Sequence, residues 1–205
     1  MSKSAPISRT RRSRIGGFST VELAVSMTVL LILTAIAIPT LMRSFRTYQL
    51  NDAAARVSDM LKFTRFEAVR RNTQINFLIQ ASGTGWLVGT DSNANGNIDA
   101  AEKQQLISGF ATLLPSSVAP NPTAITAALG GASLTTLSGS TGSVTFDARG
   151  AIRNGINGSV SSLIYVFYVG SVNDPEFGFR AVVLLPSGST QIWTAPNGGA
   201  WQQIS

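Results

Sequence analysis

Apolar residues run almost without interruption from Phe18 to Met42, FSTVELAVSMTVLLILTAIAIPTLM, with Glu22 the one charge among them. A helix rises about 1.5 Å per residue, so this run is long enough to cross the ~30 Å hydrocarbon core of a bilayer. After it the pattern becomes a stripe. Ala53, Val57, Met60, Leu61, Thr64 and Ala68 recur at helical steps, and Arg56, Asp59, Lys62 and Arg70 fall mostly off that line. The spacing predicts that the helix continues over 43–71 and lays its stripe on a sheet. Pro39 removes one backbone hydrogen bond and predicts a kink near the end of the apolar run.

Beyond Asn72 the period shortens to two. Strands are expected at Thr73–Ile79, Gly85–Gly89, Gln105–Phe110, Gly142–Asp147, Ser162–Gly170, Arg180–Leu185 and Thr190–Thr194. Ser-Gly, Asn-Gly and Pro-Ser-Gly turn signals separate them. The charge-poor stretch 111–141 predicts a long surface excursion with a short helix at Thr123–Leu129. The fold class expected is α+β: one long N-terminal helix, a transmembrane half at 18–42 and an amphipathic half at 43–71, packed on an antiparallel two-sheet β domain at 72–205.

Charge changes the picture by position rather than by total. The chain has 205 residues and a net charge of +6, but residues 1–17 carry five basic groups and no acid. Residues 72–205 carry four basic and six acidic groups, so the β domain is itself negative. A general basic, nucleic-acid-binding surface is therefore excluded. With neither cysteine nor histidine, disulfides, thiolate or imidazole metal sites, and Ser-His-Asp or Cys-His catalysis are excluded as well. No paired acidic motif, phosphate-cradling glycine loop or base-activated nucleophile is present, so an enzyme is not expected, and no cofactor is required.

The basic cluster before the apolar run places the N-terminus in the cytoplasm and the bulk of the chain across the membrane. An ordinary secretory signal has a shorter apolar region and a small-x-small cleavage site, which this segment lacks. A plain single-pass anchor accounts for the hydrophobicity but not for Glu22, since an intramembrane acid needs a partner.

Gly17-Phe18-Ser19-Thr20-Val21-Glu22, after its basic leader, resembles the cleavage and methylation signal of type IV pilins and pseudopilins. The resemblance implies that a prepilin peptidase removes leader 1–17 by cutting after Gly17 and methylates the new amino terminus at Phe18. It implies that Glu22 pairs with the Phe18 amine of a neighbouring subunit. Glu22 and Pro39 both stand at the family's spacing from the cleavage site, and such a pair sets register more than it adds stability. Arg65-Phe66-Glu67-Ala68-Val69-Arg70-Arg71-Asn72, Val144-Thr145-Phe146-Asp147-Ala148-Arg149-Gly150 and the stretch Arg180–Trp193 further resemble the GspH/FimT subfamily of minor pseudopilins. By this resemblance the chain is a minor pilin or pseudopilin of a type II secretion pseudopilus or a type IV pilus. It would sit as a single-pass protein of the bacterial inner membrane with its β domain in the periplasm. Its partners would be other pilins, an inner-membrane assembly platform and the peptidase. Read without the resemblance, Arg70 and Arg71 are cations complementing the dipole at a helix C-terminus.

Two other chemistries have candidate residues in the chain. Asp91-Ser92-Asn93-Ala94-Asn95-Gly96-Asn97-Ile98-Asp99-Ala100-Ala101-Glu102 has the oxygen pattern of a twelve-residue calcium loop. Asp91, Asn93, Asn95 and Glu102 would be side-chain ligands, the Asn97 carbonyl another, and Asp99 would act through water. The strand-like Gly85–Gly89 stands where the entering helix of such a loop belongs, and a polar hairpin whose Asx side chains bond their own backbone explains the same residues. DNA binding, known in the FimT branch, uses a Gly-Arg-x-Arg motif near the C-terminus. The matching Gly188-Ser189-Thr190-Gln191 has neither arginine, so nucleic acid is not an expected partner unless Arg149, Arg153 and Arg180 converge in the fold.

Overall fold

The computed structural model describes residues 17–137 and 142–204, so the first sixteen residues of the expected leader lie outside the described residues. The chain divides into two units, Met1–Met42 and Arg43–Ser205. Helix α1 spans Thr20–Arg71 and runs through Pro39. In the first unit its described side chains are exposed all round, as a segment made for an apolar surrounding should be.

In the second unit the expected stripe is the buried one. Ala53, Val57, Met60, Leu61, Thr64 and Ala68 are all buried, and Leu50, Ala54, Ser58 and Glu67 widen the stripe on both sides. It faces two sheets. The first has the order β3-β2-β1-β6-β7, formed by β1 (Ile75–Ser82), β2 (Gly85–Asp91), β3 (Gln104–Ile107), β6 (Ser143–Phe146) and β7 (Ile152–Arg153). The second has the order β11-β10-β9-β8-β4, formed by β4 (Thr112–Leu114), β8 (Ile164–Gly170), β9 (Phe179–Leu184), β10 (Thr190–Ala195) and β11 (Gln202–Gln203). Pairing is antiparallel except at β5 (Leu134–Thr136), which runs parallel to β8. The α+β class and the antiparallel two-sheet domain thus hold, with that one parallel exception.

The stretch 111–137 differs from the expected surface excursion. The short helix expected there is present as α2 (Thr123–Ala128), but the stretch also supplies β4 and β5 and covers the outer face of the second sheet. The reason lies in β8, which is buried along its whole length. Successive strand residues point to opposite faces. Tyr165, Phe167 and Val169 accordingly join the core beneath α1, while Ile164, Val166 and Tyr168 join a second core with Leu114, Ile125 and Trp201. Trp193 and Trp201 are both buried there. The Trp201 indole N–H donates to the Pro120 carbonyl, fastening the chain's end to the excursion. Burial pushes the Tyr168 phenol up to about 12.

Polar bonds fix how the helix lies on the sheets. The Ser58 and Thr190 hydroxyls are 2.9 Å apart and those of Thr64 and Thr90 3.0 Å apart, one pair to each sheet. Arg65 fastens two turns at once. The loops Ala148-Arg149-Gly150 and Pro186-Ser187-Gly188 are both three-residue hairpin turns ending in a glycine of positive φ, +77° and +79°. Arg65 Nε donates to the Gly150 carbonyl at 3.0 Å and also packs beside Gly188. One guanidinium therefore seats a turn from each sheet.

Candidate functional site

The N-terminal end of α1 is built by a cap. The Ser19 side chain accepts from the Val21 N–H and its carbonyl from the Leu23 N–H, which starts the helix at Thr20. Glu22 then falls in the first turn, where a carboxylate meets the positive end of the helix dipole. Phe18, four residues before it, is 76% exposed. Among the described residues Glu22 has no ion-pair partner. The hydroxyls of Thr28 and Thr34 turn back to the carbonyls of Ala24 and Leu30, so these polar groups are matched within the helix and suit an apolar surrounding. An unpaired carboxylate at the centre of a spanning helix costs about 2.5–3.5 kcal/mol, and toward the helix end the cost is smaller. Gly17 lies just before the cap and Pro39 seventeen residues beyond Glu22 within the helix.

On the opposite face of the second half of α1, away from the buried stripe, Phe45, Tyr48, Phe63 and Phe66 are exposed. These large apolar side chains lie along a helix whose core-facing side is already satisfied.

The loop from Asp91 to Glu102 is closed by its own bonds. Asp91 is fully buried, and its carboxylate accepts from the backbone N–H groups of Asn95 and Gly96 and from the Asn76 side chain. Asn76 in turn accepts from Thr145, so the loop's anchor is joined to β1 and β6. Asp99 accepts from the side chains of Asn93 and Asn95, and the Asn95 oxygen accepts from the Asn97 N–H. Glu102 accepts from Ser92 and from the Asp99 N–H. A cation taking these oxygens would replace those bonds. Gly96, with φ +80°, makes the sharp turn of the loop.

The structure does not bring Arg149, Arg153 and Arg180 together. Arg149 and Arg153 border one open pocket beside Asp147, whereas Arg180 belongs to the other sheet. Arg153 is paired with Asp147 and also donates to the Gly158 carbonyl. Burial would raise the Asp147 pKa, but the N–H groups of Ala151 and Arg149 and the Arg153 guanidinium outweigh it and hold the carboxyl below its ordinary range. Arg180 is itself buried, donating to the Asn51 side chain and the Phe179 carbonyl, and burial lowers its pKa. A guanidinium so occupied has no phosphate-facing role. The convergence on which DNA binding depended is absent.

Arg70 and Arg71 do more than complement a helix end. Both reach back to Glu67, a buried acid that the stripe pattern passed over. The Arg70 hydrogen bond is the chief cause that lowers the Glu67 pKa from 4.5 to about 2, against the raising effect of burial and with help from Arg71. The group is therefore charged over the whole ordinary range. Its contribution to stability is complete above pH 4.5 and is lost as the pH falls toward 2. Because Arg70 and Arg71 are about half exposed, solvent screens much of the attraction. Acid titration of the full chain, followed by near-ultraviolet circular dichroism, is expected to show this loss between those two pH values. The Glu67→Gln chain is expected to lose stability less steeply there; an identical slope would remove Glu67 as the cause.

A further contact carried no signal in the sequence. The Arg46 guanidinium lies 4.4 Å from the Phe110 ring centroid, and Phe110 meets Phe177 edge to face at 5.4 Å. Sequence separations of 64 and 67 residues hide such a cluster from any periodicity.

The family described as type II transport protein GspH matches residues 53–188. Comparison with curated proteins gives no match. Among solved structures, the chain is similar to the type IV minor pilin FimU of Pseudomonas aeruginosa PAO1 in two crystal forms. The P21 form is 18% identical with a TM-score of 0.47, covering 77% of this chain and 94% of that one. The P65 form is 20% identical with a TM-score of 0.43, covering 76% and 98%.

Proposed function

Because the chain belongs to the GspH family of type II transport proteins, we propose that it is a minor subunit of a membrane-assembled fibre, either a type II secretion pseudopilus or a type IV pilus. A prepilin peptidase cuts after Gly17 and methylates the Phe18 amine. The mature helix waits in the bacterial inner membrane, with the β domain on the periplasmic side, until the assembly platform draws it into the fibre. The reading is supported above all by one observation: the single charge of the apolar run, Glu22, is exposed on the first turn of α1 with no ionic partner among the described residues. A methylated amine on a neighbouring Phe18 supplies the missing cation where two lone charges would each be costly. The exposed Phe63 and Phe66 offer further apolar surface to other subunits.

Mass spectrometry of the protein from its native membrane is expected to find methylated phenylalanine, Phe18, as the first residue; any other first residue would overturn the reading. The Glu22→Ala chain is expected to be processed and inserted normally yet fail to enter the fibre. Breaking one buried ion pair costs about 3–5 kcal/mol, more than roughly a hundredfold in an assembly equilibrium. Fibre content of the variant at parental levels would remove the pairing.

A further inference from the structure

The two cations that follow the apolar run, Arg43 and Arg46, have different surroundings. They are the only charges between Glu22 and Asp52. Arg46 is half-buried and occupied: it stacks on Phe110 and donates to the Gln49 side chain. Arg43 is exposed, and among the described residues no hydrogen bond or ion pair engages its guanidinium. Residues three apart on a helix share a face. Phe45 and Tyr48, 66% and 70% exposed, therefore form an aromatic pair on one side, while Arg43 opens on another.

We propose that Arg43, with Phe45 and Tyr48, is a lipid-binding collar whose ligand is the phosphate of an anionic phospholipid at the face where the apolar run ends. The chemistry is complementary in kind and in place. Aromatic rings with one wet edge settle at the level of headgroups. An arginine stem lies along the apolar boundary while its positive charge reaches the phosphate. The negative headgroup supplies the counter-ion that the described residues withhold from Arg43. Arg46 takes no share, because its planar group is already spent in holding α1 to Phe110. Neither cleavage at Gly17 nor the pairing of Glu22 enters this argument.

The test uses the full chain in phosphatidylcholine vesicles that carry spin-labelled phosphatidylglycerol or spin-labelled phosphatidylcholine. The ratio of the two association constants is read from the motionally restricted lipid. An arginine near an anionic surface contributes about 1 kcal/mol, which is about fivefold in an association constant. The ratio is expected to exceed one for the parent, to fall by about that factor in Arg43→Gln, and to be kept in Arg43→Lys. Arg46→Gln is expected to leave it unchanged. Basic residues at 1–17 are common to all four chains and cancel in the comparison. A parental ratio of one, an unchanged ratio in Arg43→Gln, or an equal fall in Arg46→Gln would each overturn the proposal.

Discussion

Phe167→Ala is expected to remove about 3–5 kcal/mol of stability from the β domain. That is a large part of the roughly 5–15 kcal/mol that a folded protein possesses. Phe167 sits in β8 on the face turned toward α1 and is fully buried. Its ring meets Phe77 of β1 edge to face, centroids 5.6 Å apart at 81°, so this pair joins the two sheets across the core. Truncation leaves a cavity walled by strands that are hydrogen-bonded on both sides and cannot close over it. Purified full chain in detergent, heated under near-ultraviolet circular dichroism, is expected to show the loss. The far-ultraviolet signal of helix 20–42, whose residues take no part in that core, should survive the transition. A midpoint within about one degree of the parent would mean that the sheets are not joined here.

The second large effect is expected at Gly188. Its φ of +79° disfavours any side chain, and an added Cβ would come within 2.4 Å of the Gly150 carbonyl oxygen and 2.8 Å of Arg65 Nε. The backbone strain alone costs about 1–2 kcal/mol. Displacing Gly150 also breaks the bond from Arg65, worth roughly a further 1.5–3 kcal/mol for a charged donor. Gly188→Ala should therefore lower the melting temperature by about 10 °C, at roughly 2–4 °C per kcal/mol for a domain of this size. Gly198 is the control. Its φ is +69°, yet nothing lies within 4 Å of the added atom, so Gly198→Ala should show only the backbone part. Equal effects at the two glycines would eliminate the Arg65 clasp as an explanation.

The sequence was most legible where a pattern repeats. The apolar run and the stripe from Ala53 to Ala68 each span several helical turns, and the stripe's members are buried as expected. Strands of six to eight residues were found to within a few positions: the expected Thr190–Thr194 is observed as Thr190–Ala195, and Arg180–Leu185 as Phe179–Leu184. The two- and three-residue strands β4, β5, β7 and β11 escaped because so short a segment shows no period. Their pairing comes from neighbours far along the chain rather than from their own residues. The stretch 111–137 shows its short helix, expected at Thr123–Leu129 and observed at Thr123–Ala128, but not its role as a cover: Ala, Ser and Thr look like loop composition, while the few large residues among them, such as Leu114 and Ile125, roof the sheet. At the sites, Asp91 closes strand β2 and Gly96 makes the turn that follows it. Glu67 was passed over because a charge on a core-facing stripe reads as an exception, and its two arginine partners, three and four residues on, explain it only once the helix is built.

In the second sheet, β8 and β9 give alternate side chains to each side, so this sheet is a partition between two oily compartments that share no residue. Events in one need not be felt in the other. The part of the roof between 115 and 134, which gives the helix-side compartment no residue, can drift, lengthen or be exchanged for another while the compartment that seats the helix stays as it is. Adaptation to whatever the exterior meets, and fidelity to the scaffold it rides on, are thereby placed under separate selection on the two sides of one wall.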